Sequence, residues 1–174
     1  YENKQIELRL NERVLGIDRE ARTINLEGGE TLAYDKLLIA TGSRVRKLIA
    51  PGAELEGIHY LRSIADVDGI RAALKPGARV AIVGAGYIGL EVAAVARKLG
   101  HEVIVVEAMD RVMARVVAPV VSDFYDKVHR NAGVDLRLNT GLTAFEGDKW
   151  FERLRLTDGN AVEGDLAVVG IGIV

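Results

Sequence analysis

The chain has 174 residues, 49% of them hydrophobic, and its 23 lysines and arginines against 25 aspartates and glutamates leave a formal net charge of −2. That length suits one ordinary domain, or one domain with part of another. The balanced charge gives no reason to expect nucleic acid, apolar runs of only a few residues give no membrane-spanning candidate, and the lack of cysteine removes disulfides, thiolate metal sites and thiol catalysis.

No metal constellation is expected either. With no leader peptide ahead of the first expected strands, a cytoplasmic protein is expected. The chain starts at Tyr1 without methionine and closes on Gly170-Ile171-Gly172-Ile173-Val174, so it reads as a piece of something longer.

In chain order, Gln5–Leu10, Val14–Asp18, Thr23–Leu26 and Thr31–Ala33 are short, partly alternating segments separated by turn residues such as Gly28-Gly29. They predict a small antiparallel meander. Leu37–Ala40 then predicts an apolar strand that stops at Thr41-Gly42, either as backbone close to a ligand or as a plain strand exit. Arg44 to Gly57, with Pro51, Gly52 and three cations at Arg44, Arg46 and Lys47, reads as a linker between two lobes. Its cations either face a phosphate or acidic partner or form a solvated basic loop. Ser63 predicts the cap of a helix running to about Leu74, ended by Pro76-Gly77.

The chain is organised around residues 79–110. Val80–Val83 is a short β-branched run that leads into Gly84, Gly86 and Gly89, the spacing Gly-x-Gly-x-x-Gly. Apolar residues then recur at helical spacing from Tyr87 to Leu99, Gly100 sits where a C-terminal cap belongs, and Glu102–Val106 predicts a second strand that delivers Glu107 to its end. In such a unit the first glycine permits the tight turn, the second admits a pyrophosphate to bare backbone, and the third lets helix and strand lie close. The helix start supplies unpaired N–H groups and a positive dipole end. Glu107, eighteen residues past Gly89, is placed to accept hydrogen bonds from both ribose hydroxyls of an adenosine. A 2′-phosphate would meet like charge there, so NADH is expected over NADPH, with Arg111 and Arg115 nearby as cations that soften the preference.

Downstream, Pro119–Asn131 predicts an amphipathic crossover helix with Val120, Val121, Phe124 and Val128 on its apolar face. Val134–Leu138 follows as a parallel strand. Leu142–Glu146, Phe151–Leu156 and Ala161–Glu163 predict a second antiparallel meander, and Leu166–Val169 a final buried strand ending in Gly170-Ile171-Gly172. Two strands with glycine-bearing exits therefore bracket a complete dinucleotide unit. Insertion of one nucleotide-binding domain into another would look like this.

Five motifs in order, Leu38–Ser43, Tyr60–Ser63, Val83–Glu91, Val106–Val112 and Asp165–Gly172, resemble the FAD-dependent pyridine nucleotide-disulfide oxidoreductase superfamily, in its NADH-dependent ferredoxin reductase branch. The resemblance covers essentially the whole chain. It implies an α/β fold in which a Rossmann-like NAD-binding domain, residues 49–165 with a parallel sheet plus antiparallel meander, is inserted in an FAD domain. Residues 1–48 would be part of that FAD domain and 166–174 the return toward it. It also implies that Gly84, Ala85, Gly86, Tyr87, Ile88 and Gly89 carry the dinucleotide with Glu107 and Arg115. Glu91 and Tyr87 would stand beside nicotinamide and flavin, Gly172 near the nicotinamide, and Val14, Thr41, Gly42 and Arg62 near FAD. The activity implied is electron transfer from NADH through FAD to a small iron–sulfur ferredoxin that serves an oxygenase.

Other classes remain open. Disulfide reductases and NADH oxidases of the same superfamily keep any redox cysteine upstream, and the Rossmann unit alone permits a non-catalytic NAD sensor. A short-chain dehydrogenase needs Tyr-x-x-x-Lys, which no tyrosine here provides. His59, His101 and His129 lack an evident partner and read as surface or loop residues.

Overall fold

The computed structural model describes residues 6–174, which divide into two compact units, one ending at Gly42 and one running from Ser43 to Val174. In the first, β1 (Val14–Asp18), β2 (Thr23–Leu26) and β3 (Thr31–Ala33) form the expected antiparallel meander in the order β1-β2-β3. Asp18 sets the first turn by accepting the N–H groups of Glu20 and Ala21. Gly29 sets the second with φ of 84°.

Two strands expected in this unit are not formed. Gln5 lies outside the described residues, and Ile6–Leu10 has no ladder partner; Leu37–Ala40 is likewise irregular, with Leu38 88% exposed. A buried strand needs neighbours to take its N–H and C=O groups, and β1–β3 offer these segments none. Thr41 and Gly42 therefore do not close a strand.

The second unit has three layers. Its middle is a parallel sheet in the order β4-β11-β5-β6-β7, from β4 (Ile58–Tyr60), β11 (Leu166–Val169), β5 (Arg79–Val83), β6 (Glu102–Val106) and β7 (Asp135–Arg137). Side chains alternate along each strand. Val80, Ile82, Val103, Val105, Leu166 and Val168 pack on one face with Leu90, Ala93 and Ala96 of α2 (Tyr87–Lys98) and Ile70 of α1 (Ile64–Ala73). Ala81, Val83, Val106, Ala167 and Val169 pack on the other, against Phe145, Phe151, Leu154, Leu156 and Val162. Those belong to, or flank, the antiparallel sheet of β8 (Leu142–Glu146), β9 (Arg153–Leu156) and β10 (Ala161–Glu163). Burial on both faces is why β11 and, after their charged first residues Arg79 and Glu102, β5 and β6 are apolar at successive positions.

Several sequence expectations change here. Leu166–Val169 is the final buried strand expected, and its place, which the pattern did not give, is between β4 and β5 inside the sheet. Residues 44–57 are packed, not a loose connector: Val45 bridges Ile173, the Phe145 N–H donates to the Pro51 carbonyl at 2.9 Å, and Glu56 bridges Trp150. His101 and His129 are buried, 6% and 7% exposed, and burial pushes the half-buried His59 imidazole below its ordinary value. Helix α3 (Pro119–Asn131) forms as expected but turns its apolar residues out; what it buries is Ser122 and His129. The physical reason lies in polar anchors. Ser122 Oγ donates to the Val112 carbonyl, and the His129 ring meets the carbonyls of Leu90 and Tyr125 at 3.1 and 2.9 Å.

Two measurements test this packing. Phe151 is 1% exposed and meets Phe145 edge-on at 6.2 Å, so Phe151→Ala is expected to cost about 3–5 kcal/mol in urea unfolding; a loss below about 1 kcal/mol would contradict the packing. The Asp165 carboxylate accepts the Arg79 backbone N–H at 2.7 Å, which with the Arg79 side chain holds it below the usual carboxylate range against partial burial. A carboxyl lowered in the folded state contributes stability above its unfolded value and loses it as pH falls. Asp165→Asn is thus expected to flatten the stability curve below about pH 4. Equal acid slopes in both proteins would remove Asp165 as a contributor.

Candidate functional site

β5 feeds α2 on one side and lies against β11 on the other, so the chain reverses direction across the sheet between β5 and β11. At such a switch point the exits of two parallel strands diverge and leave a crevice beyond their carboxyl ends. Here that crevice is edged by Gly84-Ala85-Gly86 and Gly170-Ile171-Gly172. The turn is tied to both neighbouring strands: Gly84 N–H donates to the Val106 carbonyl and Gly170 N–H to the Val83 carbonyl, each at 2.8 Å.

The three motif glycines are needed for different reasons. Gly84 has φ of 101°, and a Cβ there would sit 2.7 Å from the Gly170 carbonyl oxygen. A Cβ on Gly89 would sit 2.0 Å from the Gly84 carbonyl oxygen, so helix and turn touch backbone to backbone. Gly86 is different. Its backbone is extended, and its Cβ would meet nothing nearer than the Gly170 oxygen at 3.8 Å. Nothing in the fold itself requires glycine at that position.

Gly86 is also the N-cap of α2, without a side-chain cap and without an acidic residue in the first turn. α1 contrasts with it: Ser63 and Asp66 form a complete capping box there. The opening N–H groups of α2 thus point at the crevice with the positive end of the helix dipole behind them.

Glu107, half-buried at the end of β6, faces the same turn. One carboxylate oxygen accepts the Ala85 N–H at 2.7 Å and the other the Met109 N–H at 2.9 Å. Each oxygen keeps a lone pair for a further donor. Tyr87, 54% exposed, and Glu91, four residues on and exposed, border the helix start on one side.

The structure therefore brings together Gly84, Ala85, Gly86, Tyr87, Ile88, Gly89, Glu91 and Glu107; Gly172, two residues past the Gly170 that touches the turn, is exposed with φ of 108°. The Gly172 carbonyl is already engaged by the Arg46 N–H. Arg115 is exposed on the loop after β6 and makes no ion pair among the described residues. Arg62, at the foot of α1, donates from Nε to the Ser43 carbonyl. Val14, Thr41 and Gly42 belong to the first unit, where each is exposed. Arg111 is corrected: its guanidinium donates to the carbonyls of Val117 and Ala114 and to Ser122 Oγ, so it braces the loop and is not available to a 2′-phosphate.

Gly170 went unread as a packing residue. A Cβ on it would meet the Gly89 nitrogen at 3.2 Å, a contact between segments far apart in sequence that no local pattern signals. Met109, 41% exposed beside Glu107, carries no signal in the sequence beyond its neighbour. A cavity of about 590 Å³ lies at the opposite end of the sheet, lined by Lys75, Arg79, Trp150, Glu163 and Asp165 among others. It sits at the amino ends of β5 and β11 and belongs to a different surface from the crevice. Among the described residues there is no metal-binding cluster, and no helix is long and apolar enough to cross a membrane.

Fold and switch point together define a three-layer α/β unit of the dinucleotide-binding kind, with helices on one face of the parallel sheet and an antiparallel sheet on the other. Comparison with known proteins narrows this: residues 1–174 match the pyridine nucleotide-disulphide oxidoreductase family, and the chain belongs to it. It is 44% identical over 173 residues to the ferredoxin–NAD(+) reductase component of the p-cumate 2,3-dioxygenase system of Pseudomonas putida, covering 99% of this chain and 42% of that protein. Among solved structures, it is similar to a ferredoxin reductase of Rhodopseudomonas palustris, with TM-score 0.87, 39% identity, and 99% and 43% of the two chains covered. The reductase of the covalent putidaredoxin reductase–putidaredoxin complex is also similar, with TM-score 0.81, 35% identity, and 98% and 45% covered. The resemblance read from the motifs is upheld. The chain spans about two fifths of the length of these relatives.

The glycine geometry has a direct test. Gly89→Ala is expected to cost at least about 2 kcal/mol, since Cβ and a carbonyl oxygen cannot share that space. Gly86→Ala is expected to cost no more than about 1 kcal/mol, the ordinary penalty for alanine at an N-cap. Chemical denaturation of both variants reads the difference, and equal losses would contradict the assignment.

Proposed function

We propose that this chain is the NADH-binding portion of a flavoprotein reductase that passes electrons from NADH, through FAD, to a small iron–sulfur ferredoxin serving an oxygenase. The observation that carries the binding half is Gly86: it is bare where the fold does not need it bare, at an uncapped helix start, beside a carboxylate with free lone pairs. The redox half is supported by family membership and by the ferredoxin reductases to which the chain is similar.

In this reading the pyrophosphate lies over Gly86 and accepts the N–H groups that open α2, with no lysine needed. Glu107 takes the adenosine ribose through the lone pairs left after Ala85 and Met109. A 2′-phosphate would be repelled there, and Arg115 is the one nearby cation among those considered that is not already committed to the loop. Tyr87 and Glu91 border the nicotinamide end with Gly172 opposite, so they orient the ring and exclude water. FAD, if bound, would supply the chemistry that links a two-electron donor to a one-electron acceptor. Val14, Thr41, Gly42 and Arg62 are this chain's share of its surroundings. The protein is cytoplasmic in this reading, with neither nucleic acid nor a membrane as partner.

Glu107→Ala tests the cofactor choice. Loss of a charge-assisted contact to a ribose hydroxyl is expected to weaken NADH binding about tenfold or more while affinity for NADPH holds or improves. Unchanged preference between the two would defeat the role given to Glu107.

A further inference from the structure

The segment between β6 and α3, residues 107–118, holds both backbone groups of Ala85. The Ala85 N–H donates to a Glu107 carboxylate oxygen at 2.7 Å, and the Ala85 carbonyl accepts the Met113 N–H at 2.9 Å. A trans peptide is planar, and its C=O and N–H point opposite ways. Fixing the Ala85 carbonyl toward Met113 therefore turns the Gly86 N–H away from the segment, and that N–H has no acceptor among the described residues. Met113 thus sets the direction of the free donor at the bare glycine.

Met113 does not hold this position by its own preference. It is 3% exposed and has φ of 50°, a left-handed backbone that a residue with a side chain keeps only where its surroundings enforce it. Arg111 supplies much of that enforcement. Its guanidinium spans the loop, donating to the carbonyls of Ala114 and Val117 at 2.6 and 3.0 Å and to Ser122 Oγ at 2.7 Å. Ser122, 1% exposed near the start of α3, donates in turn to the Val112 carbonyl at 2.6 Å. The N–H groups of Val116 and Val117 close the loop on the Met113 carbonyl. All three acceptors of the guanidinium are neutral, so Arg111 serves here as a planar fork of donors and not as half of an ion pair.

We infer that Arg111 is a positioning residue for the dinucleotide: through Ala114, Val117 and Ser122 it sets Met113 against Ala85, and through the Ala85–Gly86 peptide it aims the Gly86 N–H at the pyrophosphate. The inference rests on the reading of the glycine crevice as a dinucleotide site. Arg111 itself does not touch the ligand. What matters is the shape of its donor fork, and its charge does not.

ADP-ribose carries the adenosine and the pyrophosphate without the nicotinamide, so calorimetric titration of the natural full-length protein with it reads binding free of electron transfer. Arg111→Met removes fork and charge together, whereas Arg111→Lys keeps the charge and loses the fork. Ser122→Ala withdraws one acceptor and decides the matter if an Arg111 variant does not fold, as circular dichroism will show. The expected result is a dissociation constant for ADP-ribose raised at least about tenfold in both Arg111 variants and about threefold in Ser122→Ala, while adenosine, which lacks the pyrophosphate, binds the folded variants within about twofold of the parent. Affinity kept by Arg111→Lys and lost by Arg111→Met would assign the effect to charge and overturn the inference. Equal losses for ADP-ribose and adenosine would make Arg111 a structural brace only, and unchanged ADP-ribose affinity in Ser122→Ala and every folded Arg111 variant would remove its role, both leaving the dinucleotide reading in place. A parent protein that binds no ADP-ribose would overturn that reading and this inference with it.

Discussion

The arrangement depends on one close approach, where the backbones of Gly84, Gly89 and Gly170 meet without a side chain between them. Carbonyl oxygens occupy the space that two of the three Cβ atoms would take, and a backbone nitrogen crowds the third. Because the helix start is pressed against the exits of two strands, its N–H groups emerge at the switch point of the sheet and not over solvent. The crevice is thus a consequence of packing. Of the motif glycines only Gly86 is left over, bare where the packing does not require it.

The same turn explains the placement of Glu107. β6 pairs with β5 in register from Arg79 opposite Glu102 to Val83 opposite Val106, so the next residue necessarily comes level with the glycine turn. Its carboxylate braces Ala85 and Met109 before any ligand arrives. These two bonds fix the orientation of the carboxylate against the glycine turn.

Much of this was legible in the sequence because it is local. The strand-glycine-helix-strand-acid unit, the Ser63 cap and both meanders follow from periodicity and turn residues within short windows. What was not legible needed distant partners. Leu37–Ala40 has the composition of a buried strand, but composition cannot supply a neighbouring ladder. β4 is only three residues long and exists because β11, more than a hundred positions later, pairs with it. Helix α3 was legible as an amphipathic helix but its orientation was not, since a hydrophobic stripe fixes which residues align and not whether they face in or out. Arg111 read as a phosphate cation because its carbonyl partners, Ala114 and Val117, leave no trace in a pattern of side chains.

The most direct measurement is a titration of the ¹⁵N-labelled protein with NADH, read at the backbone amides. A dinucleotide seated on the start of α2 shifts Gly84 to Gly89, Glu107 to Met109 and Gly170 to Gly172, with the largest changes at Gly86, Tyr87 and Ile88. Shifts centred instead on Lys75, Arg79, Trp150 and Asp165, at the far end of the sheet, would contradict a nucleotide site at the glycine turn.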